Sequence, residues 1–218
     1  MHTVLHGDAP SFVVEAVRIL RDPSLFNWYT VTFLGVVLYV YAGEIEKRNW
    51  NVVLAGLAFW LMDWINEIIN SLWLHFTHYA PIWTTTGDTS YQILVGLNIE
   101  ICFLFAITGV LVAKQLPPDA KLKVLGIPNR WLFVVGFSSF AVFVEILLNQ
   151  TGYFGWAYPW WDWPHFWLII PFGYGTFLAM TVWVHDMAER AKQLKVVGSL
   201  AGIVIAALVA FGPILNWI

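Results

Sequence analysis

The chain has 218 residues, 59% of them hydrophobic and only 11% charged, with a formal net charge of −3. Soluble domains carry roughly 25% charged residues, so little room remains for a water-soluble domain, and the small negative charge argues against nucleic acid as a partner. The single cysteine, Cys102, excludes an intrachain disulfide and a cysteine metal cluster.

The first residues, MHTVLHGDAP, lack a cationic stretch followed by an apolar core, so a cleavable signal peptide is not expected. In SFVVEAVRILRD, Phe12, Val13, Ala16, Val17 and Leu20 recur at helical spacing, with Glu15, Arg18 and Arg21 opposite. This run is too short to cross a bilayer and predicts a helix in the interface, ended by Pro23. Apolar runs of about 20 residues mark spanning helices. Six are expected, near 26–43, 52–76, 91–113, 131–149, 165–185 and 196–217. Lipid offers no partner to unpaired backbone groups. The expected fold class is therefore an all-α integral membrane protein: an N-terminal interfacial helix within 1–25, then a six-helix transmembrane domain over 26–218.

The basic residues alternate between loops. Lys47 and Arg48, then Lys114, Lys121, Lys123 and Arg130, then Arg190, Lys192 and Lys195 fall on one side of the expected bundle. Loops 77–90 and 150–164 and the C-terminus have none. The positive-inside rule makes the basic side cytoplasmic and puts both termini on the other, non-cytoplasmic side.

Four carboxylates, Asp63, Glu67, Glu100 and Glu145, lie within these apolar runs. At about 2.5–3.5 kcal/mol each on the lenient insertion scale, they cost on the order of 10 kcal/mol together, more than packing alone justifies. The topology sets Asp63 near mid-membrane. It sets Glu67 with Asn70, Glu100 with Asn98, and Glu145 with Asn149 at one depth in the outer half. Asp63, Asn66, Glu67, Asn70 and Ser71 also share one helix face. Two acids one turn apart repel when both are charged, so one of them keeps a proton and is able to donate it. The plainer alternative is a polar stripe sealed by interhelical hydrogen bonds.

No metal is required by the pattern, although a divalent ion on Asp63 and Glu67 with His75, His78 or His165 is conceivable. His75 and His78 lie about 12–16 Å along the helix from Glu67, and no compact H-E-x-x-H motif exists. Interfacial solvation accounts for these border histidines equally simply.

EIINSLWLHFTHYAPIW from Glu67 and EILLNQTGYFGWAYPWW from Glu145 share glutamate, phenylalanine, proline and tryptophan at equal offsets. They suggest a parallel repeat, 67–83 against 145–161, or chance. The segment YFGWAYPWWDWPHFW holds five of the fourteen tryptophans around Asp162. It reads either as a border belt or as a pocket in which Trp156, Trp160, Trp161 and Asp162 bind a cationic or carbocationic group. PFGYG at Pro171–Gly175 predicts a kink that lines a cavity or simply packs. At the inner end of that span, His185 and Asp186 precede Arg190 and predict a salt-bridged helix end. Gly198, Gly202, Ala206 and Ala210 form a small-residue face on the sixth span, suited to packing within the bundle or to a homo-oligomer. No lysine lies inside a span, which excludes a retinal Schiff base, and no phosphate-binding glycine loop is present.

Glu145, TGYFGWAY, the tryptophan-rich turn and PFGYG together resemble membrane-embedded carotenoid hydratases and lycopene cyclases over about thirty residues. Small membrane terpene cyclases are a related comparison. The resemblance implies protonation or hydration of isoprenoid double bonds with Glu145 as proton donor, and does not extend to the Asp63–Glu67 pair. The expected function is acid–base chemistry on a membrane lipid or isoprenoid, without a cofactor, in an outward-facing cavity. Glu67 and Glu145 form the acid–base pair, Asp63 and Glu100 tune it, and Asn70, Asn98 and Asn149 orient it. The alternatives are a proton- or cation-coupled transporter using the same acids, and a metal-dependent oxidase or hydrolase.

Overall fold

The computed structural model describes residues 5–86 and 90–218. Residues 1–4 of the expected interfacial segment and 87–89 of the expected outer loop lie outside the described residues.

The chain folds into helices α1 (Ser11–Arg18), α2 (Tyr29–Glu46), α3 (Trp50–Thr77), α4 (Ile99–Ala113), α5 (Asn129–Gln150), α6 (Gly175–His185) and α7 (Arg190–Val209), with three short antiparallel strand pairs between them. Four helical stretches are long and apolar enough to cross a membrane: Trp50–Thr77, Asn129–Gln150, Phe166–His185 and Arg190–Ile214. The other two expected spans fall outside this group, α2 with the expected 18 residues but a shifted frame, and α4 because it is shorter. α2 begins after Trp28 and takes Glu44 and Glu46 into its last turn. α4 is 15 residues long rather than the 23 expected from 91–113, because its first two turns are replaced by a hairpin, β2 (Gln92–Leu94) and β3 (Leu97–Asn98). The hairpin ends where Asn98 caps the helix by accepting the Ile101 N–H at 2.8 Å.

α3 is the central helix, packed against α4, α6 and α7. Its crossing with α4 is close because both sides lack a side chain. A Cβ on Gly109 would lie 2.5 Å from the Gly56 carbonyl oxygen, and one on Gly56 would lie 2.8 Å from Val110. The small face of α7 makes no such contact: Gly198 and Gly202 have nothing within 4 Å of an added Cβ, so that face points out of the bundle.

At the basic end, Arg130 at the start of α5 forks onto Asp186 with bonds of 2.8 and 2.9 Å, joining α5 to the end of α6. Lys114 reaches Glu44 at 2.8 Å, and Arg190 lies over the Trp50 ring at 4.1 Å.

At the other end, β1 (Trp83–Thr85) and β4 (Phe154–Trp156) form a two-stranded ribbon, pairing Trp83 with Trp156, Thr84 with Gly155 and Thr85 with Phe154. Directly opposite residues share a face, and successive residues alternate. Trp83, Thr85, Phe154 and Trp156 therefore point one way, Thr84 and Gly155 the other. The second face receives α1. Gly155 has no side chain, and the Phe12 ring occupies the place of its Cβ, 2.6 Å from where that atom would be. Val13 and Ala16 are fully buried against Leu74, Ala80 and Val95. The apolar face read as interfacial is thus laid on the protein, as a cap over the ribbon.

Candidate functional site

Beneath the ribbon lies a cavity of 460 Å³ bounded by α3, α4, α5 and the 166–185 stretch. Its walls are mostly phenylalanine, leucine and valine. The ionisable groups gather together, Asp63 and Glu67 from α3 with Asn66 beside them, Glu145 from α5, and Tyr174 from the turn before α6, while Thr108 of α4 lines the cavity further along.

Each glutamate is held from above by a tryptophan. Trp83 Nε1 donates to Glu67 Oε1 at 2.7 Å, and Trp156 Nε1 donates to Glu145 Oε1 at 2.8 Å. These two indoles form a cross-strand pair of the ribbon. One pairing register therefore sets the height and spacing of both carboxyls. The ribbon is fixed in turn by asparagines one turn further along each helix. Asn70 donates to the Trp83 carbonyl and accepts the Ile82 N–H, both at 2.7 Å. Asn149 donates to the Phe154 carbonyl at 3.1 Å. The two halves are alike in this respect, yet the tryptophan that holds Glu145 is Trp156, eleven residues on, and not the Trp161 that matches Trp83 in the sequence repeat. Trp161 instead stacks on Trp83, with ring centres 5.8 Å apart, and forms part of the cavity wall.

Gly96, in the β2–β3 turn, permits the close approach of backbone to Glu67. A Cβ there would fall 2.5 Å from Glu67 Oε2 and 2.6 Å from Asn70 Nδ2. That Glu67 oxygen and Asp63 Oδ2 are buried with no hydrogen-bond partner among the described residues. Buried polar atoms are seldom left so, and an exception asks for a functional explanation. Asp63, Glu67 and Glu145 are all about 95% buried or more. Glu67 feels the charge of both other acids, and the Tyr174 hydroxyl lies beside Glu145.

The remaining expected site residues lie elsewhere. Glu100 does not line the cavity. It faces α2, where it accepts a hydrogen bond from the Tyr29 hydroxyl. Its direction around α4 turns it away from the cavity. Asn98 serves as the α4 cap. Trp160 packs in an aromatic row with Trp73, Tyr158 and Trp161 outside the cavity. Asp162 accepts the Trp163 N–H at 2.6 Å in its own turn. The histidines do not meet the acids: His75 stacks on Trp217 at 4.8 Å, His78 lies next to His75 and His6, and His165 Nδ1 is 2.9 Å from the Pro159 carbonyl. Among the described residues, no group of three histidine, cysteine, aspartate or glutamate side chains is arranged to hold a metal ion.

Trp83, Gly96 and Tyr174 were not singled out as site residues. Tyr174 had a signal, because PFGYG breaks the helix into a π turn over Ile170–Tyr174, and such turns gather at functional sites.

Over residues 10–213 the sequence matches an uncharacterized membrane protein family. It is 47% identical over 204 residues to a protein of Archaeoglobus fulgidus described as an uncharacterized protein, covering 94% of this chain and 97% of that one. No solved structure matches it. With a match over nearly its whole length and apolar helices to cross the bilayer, the chain belongs to this membrane protein family.

Proposed function

We propose that this protein is a membrane enzyme that performs acid–base chemistry on an uncharged lipid or isoprenoid, with Glu67 and Glu145 as the working pair. The observation that carries the reading is the gathering of three buried carboxyls and a tyrosine in one mostly hydrocarbon cavity, with carboxyl oxygens left unpaired. In this reading α2 and α4 also cross the membrane, giving six spans. The basic end faces the cytoplasm, and both termini lie on the other side.

One carboxyl gives its proton to a carbon–carbon double bond: the O–H bond breaks, a C–H bond forms, and a carbocation results. Aromatic faces stabilise such a cation, and Trp83, Trp161, Phe154 and Tyr174 surround the acids. The second carboxylate then takes a proton from the neighbouring carbon and restores a double bond, which completes an isomerisation or cyclisation. Capture of the cation by water, with loss of a proton to the same carboxylate, gives hydration instead. Tyr174, beside Glu145, and Asp63, one turn from Glu67, pass the proton back. The likeness of the Glu145–Gly175 segment to carotenoid hydratases and lycopene cyclases points the same way.

Transport is less well supported. From Asp63 toward the basic end, Phe59, Phe177, Phe133 and Leu116 form a packed apolar cluster.

The test is a comparison of membrane lipids from cells expressing the native chain, Glu67→Gln or Glu145→Gln. Each variant should fold and insert normally but lose turnover, so that a substrate accumulates and its isomer or hydrate disappears. Unchanged lipid profiles in both variants would refute the reading.

A further inference from the structure

The cavity is closed above by the ribbon and α1, and below by the phenylalanine cluster around Phe59 and Phe177. It is open at one side. α4 packs on α2 and α3, and α5 packs on α6 and the turn before it, so the two helices flank a gap rather than a seam. Leu104 and Leu111 of α4, and Phe140, Val144 and Leu148 of α5, line the cavity and yet are large exposed residues, Leu104 by 49% and Phe140 by 64%. The cavity-lining residues run from Ile101 to Val112 on α4 and from Phe137 to Leu148 on α5. Each run is eleven residues of rise, about 16 Å at 1.5 Å per residue. The opening is therefore a long slot parallel to the helices, not a round mouth.

Among the described residues, the lining contains two unpaired carboxyl oxygens and no lysine, arginine or histidine. A phosphate or diphosphate headgroup inside would face carboxyls with no counter-charge, and like charges brought together repel.

We infer that the site is loaded sideways from the bilayer through the α4–α5 slot, and that it takes a single uncharged hydrocarbon chain lying along the helix direction with one end at Glu67 and Glu145. This names the substrate class of the acid–base site proposed above and rests on that reading only for what happens at the acid end. Lipid tails already lie along this direction, so a chain enters by sliding sideways without leaving an apolar environment. Two sources supply such a chain, a methyl-branched polyprenyl hydrocarbon and a straight-chain alkene.

The experiment uses the full chain in lipid nanodiscs with a long polyprenyl hydrocarbon bearing a diazirine. Irradiation should label Leu104, Leu111, Phe140 and Val144 above the general lipid-facing surface. Excess unlabelled polyprenyl hydrocarbon should abolish that labelling, and polyprenyl diphosphate should not. A better displacement by straight-chain alkene would assign the site to acyl rather than isoprenoid chains within the same inference. A double variant, Leu104→Trp with Val144→Trp, should keep the unfolding midpoint of the native chain and lose labelling about tenfold. Labelling no stronger at the slot than at Ile203 and Ile205 of α7, or equal displacement by the diphosphate, would overturn the inference. Glu67→Gln separates the two claims: it should keep the labelling while losing turnover. Labelling kept with turnover intact defeats the acid–base reading alone, whereas turnover lost with no slot labelling in either protein defeats the slot alone.

Discussion

A carboxyl oxygen facing hydrocarbon needs a donor, and Glu67 and Glu145 each receive an indole N–H. Trp156→Phe keeps the ring and removes only that donor. The stranded oxygen should cost about 1–3 kcal/mol, seen as a lower unfolding midpoint in detergent, whereas Trp163→Phe, at a residue 68% exposed, should leave the midpoint unchanged. Equal midpoints for the two variants would mean that the indole bond does not hold the site. At this scale the sequence was legible in one coordinate. Loop charge and helix length set an expected depth for each acid, and three of the four acids line one cavity. Direction around the helix was not legible on α4, whose nearly uniform apolar composition marks no inward face, and so Glu100 was grouped with acids it does not meet.

Among the elements, the ribbon does most to assemble the site. Its register fixes both tryptophans, and its far face seats α1. Gly155→Leu puts a side chain where the Phe12 ring lies and should lift α1 off the ribbon. Hydrogen exchange over 11–18 should then accelerate at least several-fold, while exchange in the middle of α3 stays slow. Unchanged protection of α1 would contradict the packing described. None of this was legible in advance. Strands of three residues separated by about 70 positions leave no periodicity to read. Their aromatic residues looked like a border belt, and Gln92–Asn98 looked like the start of a helix until Gly96 and the Asn98 cap are seen to turn it into a hairpin.

At the scale of the whole molecule, a helical membrane protein was legible, because hydrocarbon-length apolar runs follow directly from the bilayer as solvent. Its basic end is tied by Arg130 and Asp186. Partial burial works against the charge on Asp186, but hydrogen bonds from Arg130 and His185 hold it below the ordinary carboxylate range. A carboxylate depressed on folding stabilises above its unfolded value and loses that contribution as pH falls through the folded one. The unfolding midpoints of the native chain and Arg130→Ala should therefore differ most near neutral pH and converge below about pH 4. A gap that does not change with pH would remove this ion pair from the account.

The central claim is that Glu67 and Glu145, from different helices, share one chamber that Glu100 does not enter. Double-mutant cycles on unfolding free energy test it most directly, pairing Glu67→Gln with Glu145→Gln, and Glu67→Gln with Glu100→Gln. The first pair should show an interaction energy of about 0.5–3 kcal/mol, and the second should be additive within about 0.5 kcal/mol. Additivity of Glu67 with Glu145, or coupling of Glu67 to Glu100 of the same size, would contradict it.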